Sequence, residues 1–376
     1  MMNRFLRALC LLPLLLTLPT RAAEDLVYTL PTENDALYRG DNEGFFMYCD
    51  RTFEGEKSKP WEAGSFGMVR NPFRTAAGQL FFGRLHEGID VKPMRRDAAG
   101  EPLDPVHPLA PGRVEHVNES PGASNYGRYV VVSHEIPEGI IYTLYAHLSK
   151  VNCKPGDEVQ RTSELGILGH SGVGLNLERA HCHVEIALMV NSAYDRMTGD
   201  YKHGLFHGFN LIGFNAADIL LQSKGNKPVS IAKYLESLPE HYRVRVPCVG
   251  TMDILRRHPF LYKGSFATRP ASLEMSFTQE GIPRAVYPST TPVTEPVVVA
   301  CKPVATLQQN VTMNRLKGSS KDAALTATGR TFINRFLWIE GKYPPGAKAI
   351  PPKNAATGLK AAARRPRSTK TTRRRP

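Results

Sequence analysis

Between residues 64 and 190 the chain alternates short apolar, β-branched runs with clusters of turn formers. Residues 127–133, 140–145 and 183–187 are examples, and strands of this length and spacing predict an antiparallel sheet or sandwich. Two stretches of helical periodicity follow, at 216–222 and 231–238, and then a second β-leaning region from 242 to 301. Near the start an apolar run covers 8–19, with Arg4 and Arg7 before it and Thr20-Arg21-Ala22 after it. That is the pattern of an export signal. The run is shorter than the ~20 apolar residues that span a bilayer. No later stretch is long or apolar enough, and Cys10 lies in the run without a lipobox before it.

Five parts are expected: a signal peptide (1–22), an N-terminal extension (23–63), a compact domain (64–225), an accessory region (226–340) and a tail (341–376). The fold class expected is mainly β, a compact antiparallel sheet or sandwich followed by a C-terminal α+β accessory region. The tail, rich in Pro, Ala and basic residues, is expected to be disordered. Residues 24–60 are a candidate segment for covering a site until it is needed.

Charge sharpens this division. The chain carries 48 Lys/Arg against 35 Asp/Glu, a net of +13. Residues 341–376 hold eleven of the basic residues and no acid, and residues 1–22 hold three Arg and no acid. The remaining body is nearly neutral, with 34 basic and 35 acidic residues. Specific nucleic-acid binding is therefore not expected of the body, whereas the tail is a candidate tether for anionic envelope polymers. At 41% hydrophobic residues the chain has enough apolar material for a core, which excludes wholesale disorder.

Export also changes the reading of the cysteines. Cys49, Cys153, Cys182, Cys248 and Cys301 remain after the leader, and an odd number leaves at least one unpaired. Cys248 and Cys301 flank a β-like stretch and are the candidate pair.

Three histidine-bearing segments carry the candidate chemistry: His86-Glu87-Gly88-Ile89-Asp90, Tyr145-Ala146-His147-Leu148-Ser149 and His181-Cys182-His183-Val184-Glu185. On a strand, side chains at i and i+2 share a face, so His181 and His183 point the same way and Cys182 points away. Two imidazoles and a carboxylate form a ligand set of catalytic zinc, with one position left open. His203 and His207 have helical spacing, but three glycines in 202–209 make that stretch a loop. His107, His116, His134 and His170 read as surface or strand-end residues, with His134 and His170 candidates to line a groove.

Taken in order, these segments resemble the lysostaphin/LytM-type zinc metallopeptidases, peptidase family M23. The resemblance runs from about residue 83 to residue 188. It includes His86-Glu87-Gly88-Ile89-Asp90-Val91, Pro105-Val106 leading to Gly112-Arg113-Val114, and Asn125-Tyr126-Gly127. It continues through Tyr145-Ala146-His147-Leu148-Ser149, Leu168-Gly169-His170-Ser171-Gly172 and His181-Cys182-His183-Val184-Glu185-Ile186. By position, the resemblance implies one zinc ion on His86, Asp90 and His183, with His147 and His181 as catalytic histidines that do not bind it. Three departures stand out. Arg179-Ala180 replaces the usual Gly-Pro, the 172–181 loop is a few residues longer, and an insertion around 95–104 lengthens the first hairpin.

The resemblance implies an exported, periplasmic or extracellular endopeptidase acting on peptidoglycan peptides. The alternatives weighed are a non-catalytic regulator of a cell-wall amidase and a wall-anchoring protein whose function resides in 226–376.

Overall fold

In a computed structural model describing residues 24–47, 52–57, 60–198, 203–248 and 252–337, one strand organises the rest. In chain order, β1 (Gly67–Arg74) and β2 (Leu80–His86) pair as a hairpin. β3 (Ile89–Val91), β4 (Gly112–Asn118), β5 (Arg128–Ile136), β6 (Gly139–Leu148), β7 (Glu158–Val159), β8 (Cys182–Met189) and β9 (Leu211–Phe214) form a seven-stranded antiparallel sheet. The order is β7-β4-β5-β6-β8-β9, and β3 shares with β9 the edge of β8 that faces away from β6.

Every residue of β8 is buried, so its two faces serve two cores. Cys182, Val184, Ile186 and Leu188 join the main cluster, while Ala187 and Met189 join a smaller one with Tyr129, Tyr142 and Leu144. His183 and Glu185 occupy the second face by strand alternation.

Beyond the sheet, α1 (Ala216–Ser223) and α2 (Ile231–Ser237) fall where helical periodicity predicts them. The Asn215 side chain accepts from Ala217 N at the first, and Ser230 from Lys233 N at the second. Each cap is worth about 1 kcal/mol. The 242–301 region is a second antiparallel sheet, made of β10 (Tyr242–Pro247), β11 (Ser272–Phe277), β12 (Pro283–Ser289) and β13 (Val297–Cys301) in the order β12-β11-β10-β13. A last helix, α3 (Ala327–Phe336), is capped by Thr326 and packs Phe332 and Phe336 against Phe277. One hydrophobic cluster runs from Tyr28 through both sheets to Leu337.

Residues 24–47 lie within that packing. Leu26 bridges to Val229, and Met47 N donates to Asp90 O (2.8 Å) beside the bridge between Phe46 and Val91. This segment braces the backbone of β3.

Two expectations are corrected. Cys153, Cys182, Cys248 and Cys301 are all free thiols, so Cys248 and Cys301 are not bonded. Cys301 sits opposite Tyr242 at one end of the β10–β13 pairing, whereas Cys248 follows Pro247 at the other. That separates them by about 20 Å of strand, at ~3.3 Å per residue. Disulfide geometry cannot span it. His134 is neither a surface nor a groove residue. It is fully buried in β5, with Nδ1 donating to Pro111 O (2.8 Å) and Nε2 accepting from Thr143 Oγ1 (2.7 Å).

The expected signal peptide, the basic tail, Cys10 and Cys49 lie outside the described residues. Among the described residues no helix is long and apolar enough to cross a membrane.

Candidate metal centre

The register of β3 on β8 places His183 directly opposite Asp90, and on the other edge His183 faces Ala146 of β6. His86 ends β2, four residues before Asp90, and the intervening turn must press onto β8. Gly88 permits this, because a Cβ there would lie 2.3 Å from Val184 O. His147 arrives by a different device. The β5–β6 register steps from Val130↔Tyr145 to Arg128↔Leu148, so Ala146 and His147 together oppose Tyr129. This is a β-bulge, and His147 takes φ 65, a left-handed conformation uncommon outside glycine. The bulge re-aims the imidazole out of the strand's alternation and towards β8.

Candidate ligand atoms of His86, Asp90 and His183 all lie within 4.8 Å of one another, and all three residues are buried. Asp90 Oδ1 is the hub: His183 Nδ1 lies 2.9 Å away, His86 Nε2 3.0 Å and His181 Nε2 3.3 Å. His86 Nε2 and His183 Nδ1 are 3.0 Å apart. The His147 ring packs edge-on against His181 with centroids 4.6 Å apart, and at 9% exposure it is the most open of the five residues.

The outer nitrogen of each imidazole decides what the inner one can do. His86 Nδ1 lies 2.8 Å from Ser65 O, His147 Nδ1 2.9 Å from Ser171 O, and His181 Nδ1 2.7 Å from Arg179 O. His183 Nε2 lies 2.9 Å from Glu185 Oε1. Carbonyl and carboxylate oxygens only accept, so each outer nitrogen is the protonated donor and each inner nitrogen of a neutral ring keeps its lone pair. Asp90 therefore faces lone pairs at hydrogen-bond distance, an arrangement that repels unless a cation or added protons lie between them. Tetrahedral zinc with bonds near 2.0–2.1 Å sets ligand atoms roughly 3.3 Å apart. The donor set and its spacing fit such an ion on His86, Asp90 and His183.

The surrounding charges act in the same direction. Burial pushes the His86 imidazole down to about 4 and holds His147 well below its usual value, which keeps both neutral. Burial would raise the Asp90 carboxyl, but the facing His181 and the Arg70 guanidinium overcome it and hold the carboxyl well below its usual value. For His183 burial opposes the charged form, and the carboxylates of Asp90 and Glu185 reverse this to about 9. A cation at the centre would take the place of that proton.

Residues 84–195, which contain all five residues of the site, match the model of peptidase family M23. This segment is an M23 domain. Similar solved structures include a Pseudomonas aeruginosa protein described under peptidase M23, with 26% identity and a TM-score of 0.21. That match covers 27% of this chain and 37% of the other. A zinc-containing peptidase from Vibrio cholerae is 23% identical with a TM-score of 0.21, covering 32% of this chain and 36% of that one. The catalytic domain of lysostaphin from Staphylococcus simulans is 20% identical with a TM-score of 0.24, covering 41% and 85%. The chain thus spans little more than a third of the Pseudomonas aeruginosa and Vibrio cholerae proteins it matches. No curated protein matches it.

The residues around the M23 site were not legible beforehand, with one exception. Arg70 Nη2 donates to Asp90 Oδ2 (2.6 Å), occupying one carboxylate oxygen and leaving Oδ1 for the centre. Nothing in the sequence near Arg70 marks this role. Glu185 Oε1 accepts from Tyr126 OH (2.5 Å) as well as from His183. Glu185 had a signal, since it lies two residues past His183 on the same strand face. His203 and His207 lie in a loop as expected, with His207 against the Tyr126 ring at 4.8 Å between centroids. His170 pairs with Glu101, and His116 packs between Tyr129 and Phe206.

Proposed function

We propose that this chain is an exported zinc endopeptidase that hydrolyses peptide bonds of bacterial peptidoglycan. The observation that carries this reading is the inward turn of three imidazoles, those of His86, His181 and His183, each with its outer nitrogen donating away, around one oxygen of Asp90. A purely structural histidine cluster has no reason to point lone pairs at a carboxylate.

In this reading His86 Nε2, Asp90 Oδ1 and His183 Nδ1 hold the ion. When bound, zinc supplies a Lewis acid and brings the pKa of water towards neutrality. Arg70 fixes the second oxygen of Asp90, and Glu185 fixes the tautomer of His183. The Nε2 atoms of His147 and His181 are proton acceptors in a buried setting. One takes a proton from the attacking water, and the protonated ring then donates to the carbonyl oxygen or the leaving nitrogen. Both rings are held by backbone carbonyls, so little reorganisation is needed when the proton moves. Residues 64–225 form the catalytic unit in this account, with 226–340 as an accessory region and the basic tail as a tether to anionic envelope polymers.

The test is digestion of purified peptidoglycan by protein of measured zinc content, before and after chelation and after zinc is restored. Release of new amino termini that follows the zinc content is the expected result. Zinc-loaded protein that binds the polymer without releasing any would point to a non-catalytic role.

A further inference from the structure

The two loop departures seen in the sequence, the 95–104 insertion and the long 172–181 loop, are joined to each other. Arg96 Nη1 donates to Leu177 O (3.1 Å) and to Gly100 O (2.7 Å), and a Cβ on Gly100 would touch the Leu177 side chain at 3.5 Å. The insertion is also tied to the turn that holds His147, because Glu101 pairs with His170 Nε2 (3.2 Å). The next residue, Ser171, supplies the carbonyl that fixes His147 Nδ1. Together these segments wall a cavity of about 650 Å³, lined among others by Glu101, Pro102, Arg128, Ser149, His170 and Ser171.

Arg128 is the unbalanced charge in this cavity. Its backbone N donates to Ser171 Oγ (2.9 Å), which fixes its Cα beside the His147 turn. The side chain is half-buried, yet among the described residues its guanidinium has no hydrogen bond, ion pair or aromatic partner. Glu101, the carboxylate in the lining, is engaged by His170. A guanidinium lining a cavity without a counter-charge is free to receive an anion, and its planar fork of donors matches a carboxylate in particular.

We propose that this cavity is a substrate subsite in which Arg128 receives a free carboxylate on the peptide, on the His147 side of the scissile bond. The inference rests on the peptidase reading for the word substrate, but the binding it asserts does not depend on turnover. The family-atypical insertion supplies one wall, so the subsite makes this enzyme's choice of peptide differ from that of an M23 domain lacking the insertion.

The experiment uses a synthetic peptidoglycan stem peptide prepared with each carboxylate either free or as the carboxamide. Dissociation constants are measured on the zinc-loaded full chain carrying His181→Ala, so that binding is read without turnover. The same chain is then tested with Arg128→Gln or Arg128→Lys added. Amidation of one carboxylate is expected to weaken binding by about tenfold or more when Arg128 is present, the scale of a charge-assisted hydrogen bond. Arg128→Gln should reduce that discrimination to less than about twofold, and Arg128→Lys should restore part of it. Equal binding of acid and amide forms with Arg128 present, undetectable binding of every form, or discrimination that survives Arg128→Gln would overturn the proposal. Cleavage by the unmutated chain is followed in parallel. Discrimination without cleavage strikes the peptidase reading alone, and cleavage without discrimination strikes the subsite alone.

Discussion

Glu185 Oε1 lies 2.9 Å from His183 Nε2, and this contact commits the other ring nitrogen, Nδ1, to face Asp90. Both residues stand on one face of β8 two positions apart, so strand alternation alone brings the carboxylate to its histidine.

Glu185→Gln keeps a hydrogen-bonding oxygen but removes the charge that fixes the tautomer. Zinc affinity should fall by about 10–100-fold, the usual cost of losing such a partner. Competition against a chromogenic chelator measures it. Tyr126→Phe, which removes the second donor to the same oxygen, should have a smaller effect in the same direction. Unchanged affinity in Glu185→Gln would mean that packing alone orients His183.

Cys182 lies in the main core with Val184, on the face of β8 opposite His183. Cys182→Val should therefore retain the metal and most activity, with a stability change below about 1.5 kcal/mol for a near-isosteric swap. Elemental analysis and thermal melting test this together. A folded variant without zinc would place the thiol in the centre.

His134 gives the fold a pH dependence separate from the metal. Burial pushes its imidazole from the usual 6.5 down to about 4. Below pH 6.5 the unfolded chain takes up a proton that the folded form refuses. The stability contributed is thus complete above 6.5 and is lost as pH falls towards 4, at up to ~1.4 kcal/mol per pH unit. His134→Gln should lose less stability than the unmutated chain between pH 7.5 and 5.0, as read from urea midpoints. Parallel losses in both forms would show that His134 titrates normally in the folded state.

The residues of the candidate metal cluster were legible because each sits in a short local pattern. His86 and Asp90 share one turn, and His181 and His183 share one strand face. Legibility stopped where the contact is long-range or conformational. Arg70 reaches Asp90 from a different hairpin, and the turn of His147 towards the site comes from a bulge that the Tyr145–Ser149 run does not encode by alternation. The Cys248–Cys301 expectation failed for the same reason. Sequence spacing placed the two thiols at the borders of one β-rich stretch, but β13 runs antiparallel beside β10 and carries Cys301 to the far end. His134 was misread because it stands between polar Ser133 and Glu135 near the end of β5, while the partners that bury it, Pro111 and Thr143, lie far from it in the chain or on the next strand.

The central claim is that His183 holds the ion while His181 works beside it. The direct measurement is zinc content and turnover of His183→Ala and His181→Ala, each with matched melting behaviour. His183→Ala should lose the metal, whereas His181→Ala should keep it and lose turnover by about 10²–10⁴-fold, the scale of general acid–base catalysis. Zinc lost from His181→Ala and retained in His183→Ala, or turnover undiminished in both, would contradict the account.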